Sequence, residues 1–175
     1  MTKLKAVLLD LDDTLLGNTM DGFVPAYFRA LTEYMADVVP PDRLRQELLR
    51  GTHAMDANAG DGPTNEEAFS AVFYPGLGRA RDELEPALKR FYREEFPRLH
   101  HLTHRLPESR ALVTWAFERG LQVAIATNPL FPRQAIDHRL AWAGVPPSEF
   151  DFDLVTTYEN MHATKSNPAY YREIL

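Results

Sequence analysis

Residues 5–15 read K-A-V-L-L-D-L-D-D-T-L, an apolar run that ends abruptly in carboxylates. The run has the pattern of a short strand buried on both faces, as parallel strands are. Two further runs follow the same form: residues 121–127 (L-Q-V-A-I-A-T), after Gly120, and the weaker residues 152–156 (F-D-L-V-T), after the Pro146-Pro147 turn. Between them lie helical patterns with marked ends. One starts at Pro107, carries Leu112, Trp115 and Ala116, and stops at Gly120; another starts at Pro132, carries Ile136, Leu140 and Trp142, and stops at Gly144. Proline suits the first helical turn and glycine the position just past the last. Alternation of strand and helix from residue 107 onward predicts an α/β fold with a parallel sheet.

Residues 17–105 carry four helical patterns and no convincing strand. Phe23, Tyr27, Leu31, Tyr34 and Val38 recur at helical spacing, and Pro41 opens a second helix with Leu44, Leu48 and Leu49. Thr64 and Glu67 form a capping-box pair ahead of Phe69, Val72 and Phe73, and Leu84, Leu88, Phe91 and Phe96 mark a fourth helix. Residues 55–63 are a loop within this stretch. The expected organisation is a core of residues 1–16 with 106–175, and a helical insertion of residues 17–105.

The 175 residues, 45% hydrophobic and 25% charged, suit a globular protein. With no cysteine, a disulfide framework, a thiolate metal site and a cysteine nucleophile are excluded. A net charge of −6 argues against general affinity for nucleic acid, which depends on clustered Lys and Arg. No apolar run approaches the ~20 residues that span a bilayer, so no membrane partner is expected and the cytoplasm is the expected location. Oligomeric state has no signature in the sequence.

The stretch Asp10-Leu11-Asp12-Asp13-Thr14-Leu15 carries the chemistry. Carboxylates two positions apart at the C-terminal end of a strand sit in the crevice where open α/β sheets bind ligands. One can act as nucleophile and the other as general acid and base. At ~4 Å and an effective dielectric of ~20, each pair of like unit charges costs about 4 kcal/mol, so an anionic substrate requires nearby cations. The motif therefore predicts a divalent metal and a lysine. The same aspartates could instead cap a turn.

The strand followed by D-x-D-x-T resembles the first motif of the haloacid dehalogenase (HAD) superfamily of hydrolases. Residues 123–128 (V-A-I-A-T-N) resemble its second motif, a strand ending in Thr or Ser, and Lys165-Ser166-Asn167-Pro168 resembles the third, with Ser166 where proline is commoner. The resemblance implies a HAD-like, Rossmann-like parallel sheet with an inserted helical cap of the C1 type. The long interval between residues 10 and 127 accommodates such a cap, and the interval to residue 165 does not accommodate another. It further implies hydrolysis of a small phosphorylated metabolite, with Asp10 as nucleophile forming an aspartyl-phosphate and Asp12 as general acid and base. Thr127, Asn128 and Lys165 would hold the phosphoryl group, Lys165 also neutralising charge. Asp10 and Asp12 would hold Mg²⁺. An acid at position 12 favours phosphate esters over halides, because a halide leaving group needs no proton. A phosphomutase of the same superfamily and a catalytically incomplete binding or regulatory module are the alternatives.

Ten residues follow Lys165, and they read as the opening of a helix, with no fourth acidic motif and no further strand. The expectation is a sheet incomplete at the C-terminus, in a fragment of a longer phosphatase or in a natural short form, with the 5–10 strand as an apolar edge. His100, His101 and His104 are read as a hinge rather than a metal site, and Asp56 and Asp61 as turn residues. Phe23, Tyr27, Tyr34, Phe69 and Phe73 are read as core of the insertion. Leu130 and Phe131, within N-P-L-F-P, are expected to meet the insertion across a cleft.

Overall fold

The computed structural model describes residues 4–175. Strands β1 (Ala6–Leu9), β4 (Gln122–Ile125) and β5 (Leu154–Val155) form a parallel sheet in the order β1-β4-β5. Val7 is in register with Val123 and Leu9 with Ile125, while Ile125 is in register with Val155. Parallel register brings the three strand ends to one edge, where residues 10 and 127 line a common crevice. Helices α5 (Pro107–Glu118) and α6 (Arg133–Trp142) connect and cover the strands, and α7 (Pro168–Ile174) closes the described chain. The expected α/β class, with a small parallel sheet and many helices, is the architecture found.

The chain leaves this layer through β2 (Leu16–Gly17) and returns through β3 (His104–Arg105). The two pair antiparallel, Leu16 opposite Arg105 and Gly17 opposite His104. A side chain at Gly17 would collide with the His104 ring, so the close approach of the two strands requires glycine there. Between them run α1 (Met20–Tyr34), α2 (Pro41–Asp56), α3 (Asn65–Leu77), α4 (Arg81–Glu94) and a 3₁₀ segment, Phe96–Leu102. The capping box expected at Thr64 is formed: Glu67 N–H donates to Thr64 Oγ1 (3.2 Å) and Thr64 N–H to the Glu67 carboxylate (2.9 Å). Phe96 lies in the 3₁₀ segment rather than in the fourth helix. Pro97 has no N–H with which to continue the helical ladder, so α4 ends before it.

The insertion and the sheet layer share one hydrophobic core, in which Leu11, Phe23, Phe96, Ile136 and Leu140 belong to a single cluster. Phe131 sits 5.2 Å from the Tyr27 ring and 6.5 Å from that of Phe23, so it meets the insertion as expected. Two readings change. Strand β1 is the outer strand of the described sheet, as expected, but it is not buried on both faces, since Leu8 is 37% exposed. On α5 the buried positions are Ser109, Val113 and Ala116, while Leu112 and Trp115 are exposed. The buried face is rotated because Ser109 donates its hydroxyl to the Leu15 carbonyl (2.7 Å), which turns the small residues inward.

Candidate active site

The five residues expected at the site, Asp10, Asp12, Thr127, Asn128 and Lys165, line one cavity of about 440 Å³ at the C-terminal edge of the sheet. Asp10 follows β1 directly. Its Oδ1 accepts the Leu11 N–H (2.8 Å), and its Oδ2 pairs with Lys165 Nζ at 2.8 Å. The carboxylate is 40% exposed, so the pair opens to solvent and to an incoming ligand. Beyond it the chain turns sharply. Asp13 adopts φ +53°, a left-handed conformation that aspartate tolerates better than most residues, and its N–H returns to the Leu16 carbonyl at 2.8 Å. This turn presents Asp10 and Asp12 to the same cavity.

Asp12 has two partners, both on Oδ1: the Asn18 amide donates to it at 2.9 Å, and the Arg139 guanidinium pairs with it. Arg139 comes from α6, is fully buried, and lies 5.3 Å and 5.1 Å from the Phe23 and Phe131 ring centroids. Burial pulls its pKa down to about 10, against the opposing charge of Asp10, and it remains a cation at neutral pH. Its Nε has no hydrogen-bond partner. Both partners lie on Oδ1 and neither on Oδ2.

Thr127 is buried at the end of β4. Its carbonyl accepts both the Thr156 hydroxyl (2.7 Å) and the Tyr170 hydroxyl (2.9 Å), which fixes the loop beyond the strand. Burial pushes the Tyr170 phenol above its ordinary value, so it stays a donor at neutral pH. Asn128 Oδ1 accepts the Lys165 backbone N–H at 3.1 Å, joining the loop after β4 to the loop carrying the lysine. The insertion is tied down above these loops. Asn65, fully buried at the start of α3, donates its backbone N–H to the Met161 carbonyl (2.8 Å) and its side-chain amide to the Pro129 and Ala163 carbonyls (3.3 Å each).

The cavity is strongly negative. Asp10, Asp12, Asp13 and Asp21 line it against Lys165. A phosphate dianion entering such a site is repelled unless a cation accompanies it. Among the described residues no group of three His, Cys, Asp or Glu is placed to hold an ion. Two hard carboxylates, with the remaining positions left to water and phosphate oxygens, are nevertheless the usual protein share of a Mg²⁺ site, so the donor set of Asp10 and Asp12 fits that ion.

Arg139, Asn18, Asn65, Thr156 and Tyr170 were not anticipated. For Arg139 a signal existed, because it shares a helical face with Ala135, Ile136 and Ala143. A charged residue on an otherwise apolar stripe requires a buried partner. The histidines of the insertion root do not converge. His104 packs on Gly17, and His101 Nδ1 sits 2.7 Å from the Arg98 carbonyl.

No family model and no curated protein matches the chain. Among solved structures, it is similar to a HAD phosphatase from Thermococcus onnurineus, at 19% identity and a TM-score of 0.47, over 97% of this chain and 69% of the other. A dehalogenase is also similar, at 16% identity and a TM-score of 0.44, over 98% and 70% of the two chains. The first belongs to the superfamily whose motifs this chain resembles. Residue roles at such identities rest on the chain's own geometry. No described helix is long and apolar enough to cross a membrane.

Proposed function

We propose that the chain is a Mg²⁺-dependent phosphohydrolase that acts through an aspartyl-phosphate at Asp10, with residues 17–105 as the cap over its site. The observation that carries this reading is the Lys165–Asp10 pair at 2.8 Å, in a cavity that also holds Asp12, Thr127 and Asn128. Three segments far apart in sequence converge there, and they supply a nucleophile, a second acid and a cation.

In the first step an Asp10 oxygen forms a bond to phosphorus as the ester P–O bond breaks, and Asp12 Oδ2 gives its proton to the departing oxygen. In the second, the same carboxylate takes a proton from water, the water oxygen bonds to phosphorus, and the Asp10–phosphorus bond breaks. Lys165 offsets charge between carboxylate and phosphoryl oxygens, while Thr127 and the Asn128 N–H orient those oxygens. Asp10 and Asp12 would hold Mg²⁺, which supplies further charge neutralisation. Phosphoryl transfer needs positioning and electrostatics above all, and the site is built from those.

The test is hydrolysis of p-nitrophenyl phosphate by the chain with Mg²⁺ and with EDTA. The expected result is turnover that requires the metal and disappears in Asp10→Asn. Equal rates in Asp10→Asn and the parent protein would refute the role of Asp10.

A further inference from the structure

A second cavity, of about 740 Å³, lies between the helical insertion and the sheet layer and meets the Asp10 cavity at Met20, Leu130 and Phe131, which line both. Its walls come from α1, α2, α3 and α4 of the insertion and from residues 130–137 and 158–159 opposite them, and its surface is mainly aromatic and aliphatic. Tyr27, Phe69 and Phe73, expected only to fill the core of the insertion, face this space. A group esterified to a phosphate on Asp10 can extend past Phe131 into it.

The tyrosine pair and the cations along the walls already have partners. The Tyr27 and Tyr92 hydroxyls bond to each other at 2.7 Å. The cations are paired too: Arg81 with Glu66 and with Glu85 (3.0 Å), Lys89 with Glu85 (3.3 Å), and Arg133 with Asp137 (2.7 Å). With Glu159 also present, four carboxylates stand against three cations. A second phosphate or a carboxylate on the substrate would find no unpaired cation among these, and a sugar would exchange water for walls that are mainly aromatic and aliphatic. Burial also raises the Tyr27 phenol to about 12, which marks the same side of the cavity as poorly solvated.

We infer that the substrate is a phosphate monoester whose leaving group is uncharged and apolar, an alkyl chain or an aromatic ring seated in the cavity of the insertion. The inference rests on the phosphohydrolase reading for the position of the phosphate, but the cavity can be tested apart from turnover. Each buried methylene is worth about 0.8 kcal/mol, which converts to a three- to fourfold gain in affinity or in kcat/KM. From methyl to butyl to octyl phosphate, kcat/KM should climb by about that factor per methylene at first, and glucose 6-phosphate should fall far below octyl phosphate. Calorimetric binding of n-octylphosphonate should likewise exceed that of methylphosphonate by at least about a hundredfold. Filling the cavity with Leu88→Trp should reduce the octyl-to-methyl binding ratio at least tenfold, and Ser70→Trp, from α3, should do the same if the first variant does not fold.

Hydrolysis without any chain-length dependence, or with glucose 6-phosphate preferred, overturns this inference and leaves the phosphohydrolase reading standing. Chain-length-dependent phosphonate binding without hydrolysis of any ester does the reverse. Equal binding of the two phosphonates overturns the inference whatever the activity.

Discussion

Replacing Arg139 with methionine isolates the buried ion pair that holds Asp12. Arg139 is fully buried, pairs with Asp12 and lies between the Phe23 and Phe131 rings. Removing one partner of a buried ion pair costs about 3–5 kcal/mol, mostly because the other charge is stranded. Asp12 is not fully stranded here: its side chain is 16% exposed, and Asn18 still donates to it at 2.9 Å. Methionine also removes the desolvation of a guanidinium whose Nε has no partner, while losing cation–π contacts worth about 1 kcal/mol each. The expected net loss is about 2 kcal/mol, or a Tm about 4–8 °C lower for a chain of this size.

The assay is urea denaturation at pH 7, followed by circular dichroism, of the parent protein, Arg139→Met, Asp12→Asn and the double variant. If the pair is coupled, Asp12→Asn costs less in the methionine background, and the cycle returns an interaction of about 2 kcal/mol. An Arg139→Met protein within about 0.5 kcal/mol of the parent, or a coupling below that size, would refute the reasoning. It would mean that the charge of Asp12 does not depend on Arg139.

Lys165→Met should lower kcat/KM for p-nitrophenyl phosphate by about 10²–10³, the loss typical of a charge-stabilising donor, with little change in Tm because the Asp10–Lys165 pair is partly exposed. Gly51→Ala places a methyl group against the Phe69 ring, which stacks on Phe73 at 4.6 Å; the clash between α2 and α3 should cost about 1–3 kcal/mol in a thermal melt, outweighing the better helix propensity of alanine. Stability should fall between about pH 10 and pH 12. Burial raises the phenols of Tyr27, Tyr74, Tyr92, Tyr158 and Tyr170, so the unfolded chain loses those protons first and is favoured as pH rises. Arg139, lowered to about 10, acts in the opposite direction, but one arginine does not offset five tyrosines. Tyrosinate absorbance should therefore appear together with loss of helical dichroism, and early ionisation of these phenols in a folded protein would contradict their burial.

Local chemistry was legible because it acts over a few residues. The capping box at Thr64, the helix starts at Pro107 and Pro168, and the strands ending at Asp10 and Thr127 all follow from contacts within one or two turns or from the pattern of one strand. The order of the motifs, with parallel strands between them, was enough to expect Asp10, Asp12, Thr127, Asn128 and Lys165 at one edge, and they share one cavity. The phase of α5 does not follow hydrophobicity alone: Leu112 and Trp115 are more hydrophobic than Ser109, yet Ser109 is the buried one, with its hydroxyl bonded to the Leu15 carbonyl.

The order of the elements, and the position of the acids and the lysine relative to the strand ends, can be read along the chain. Which groups hold those acids, and what lies beyond them, depends on packing between distant segments. Arg139 reaches Asp12 across 127 positions of chain, and Asn65 anchors the insertion to carbonyls of Pro129 and Ala163, because helix packing on the shared core brings them together. The cavity beside the Asp10 site is likewise a space left between the helices of the insertion and residues 130–137 and 158–159, and no single segment encodes it. Periodicity fixes which face of a helix is buried, but the contacts of that face depend on how the helices cross, which is settled only when the whole core packs.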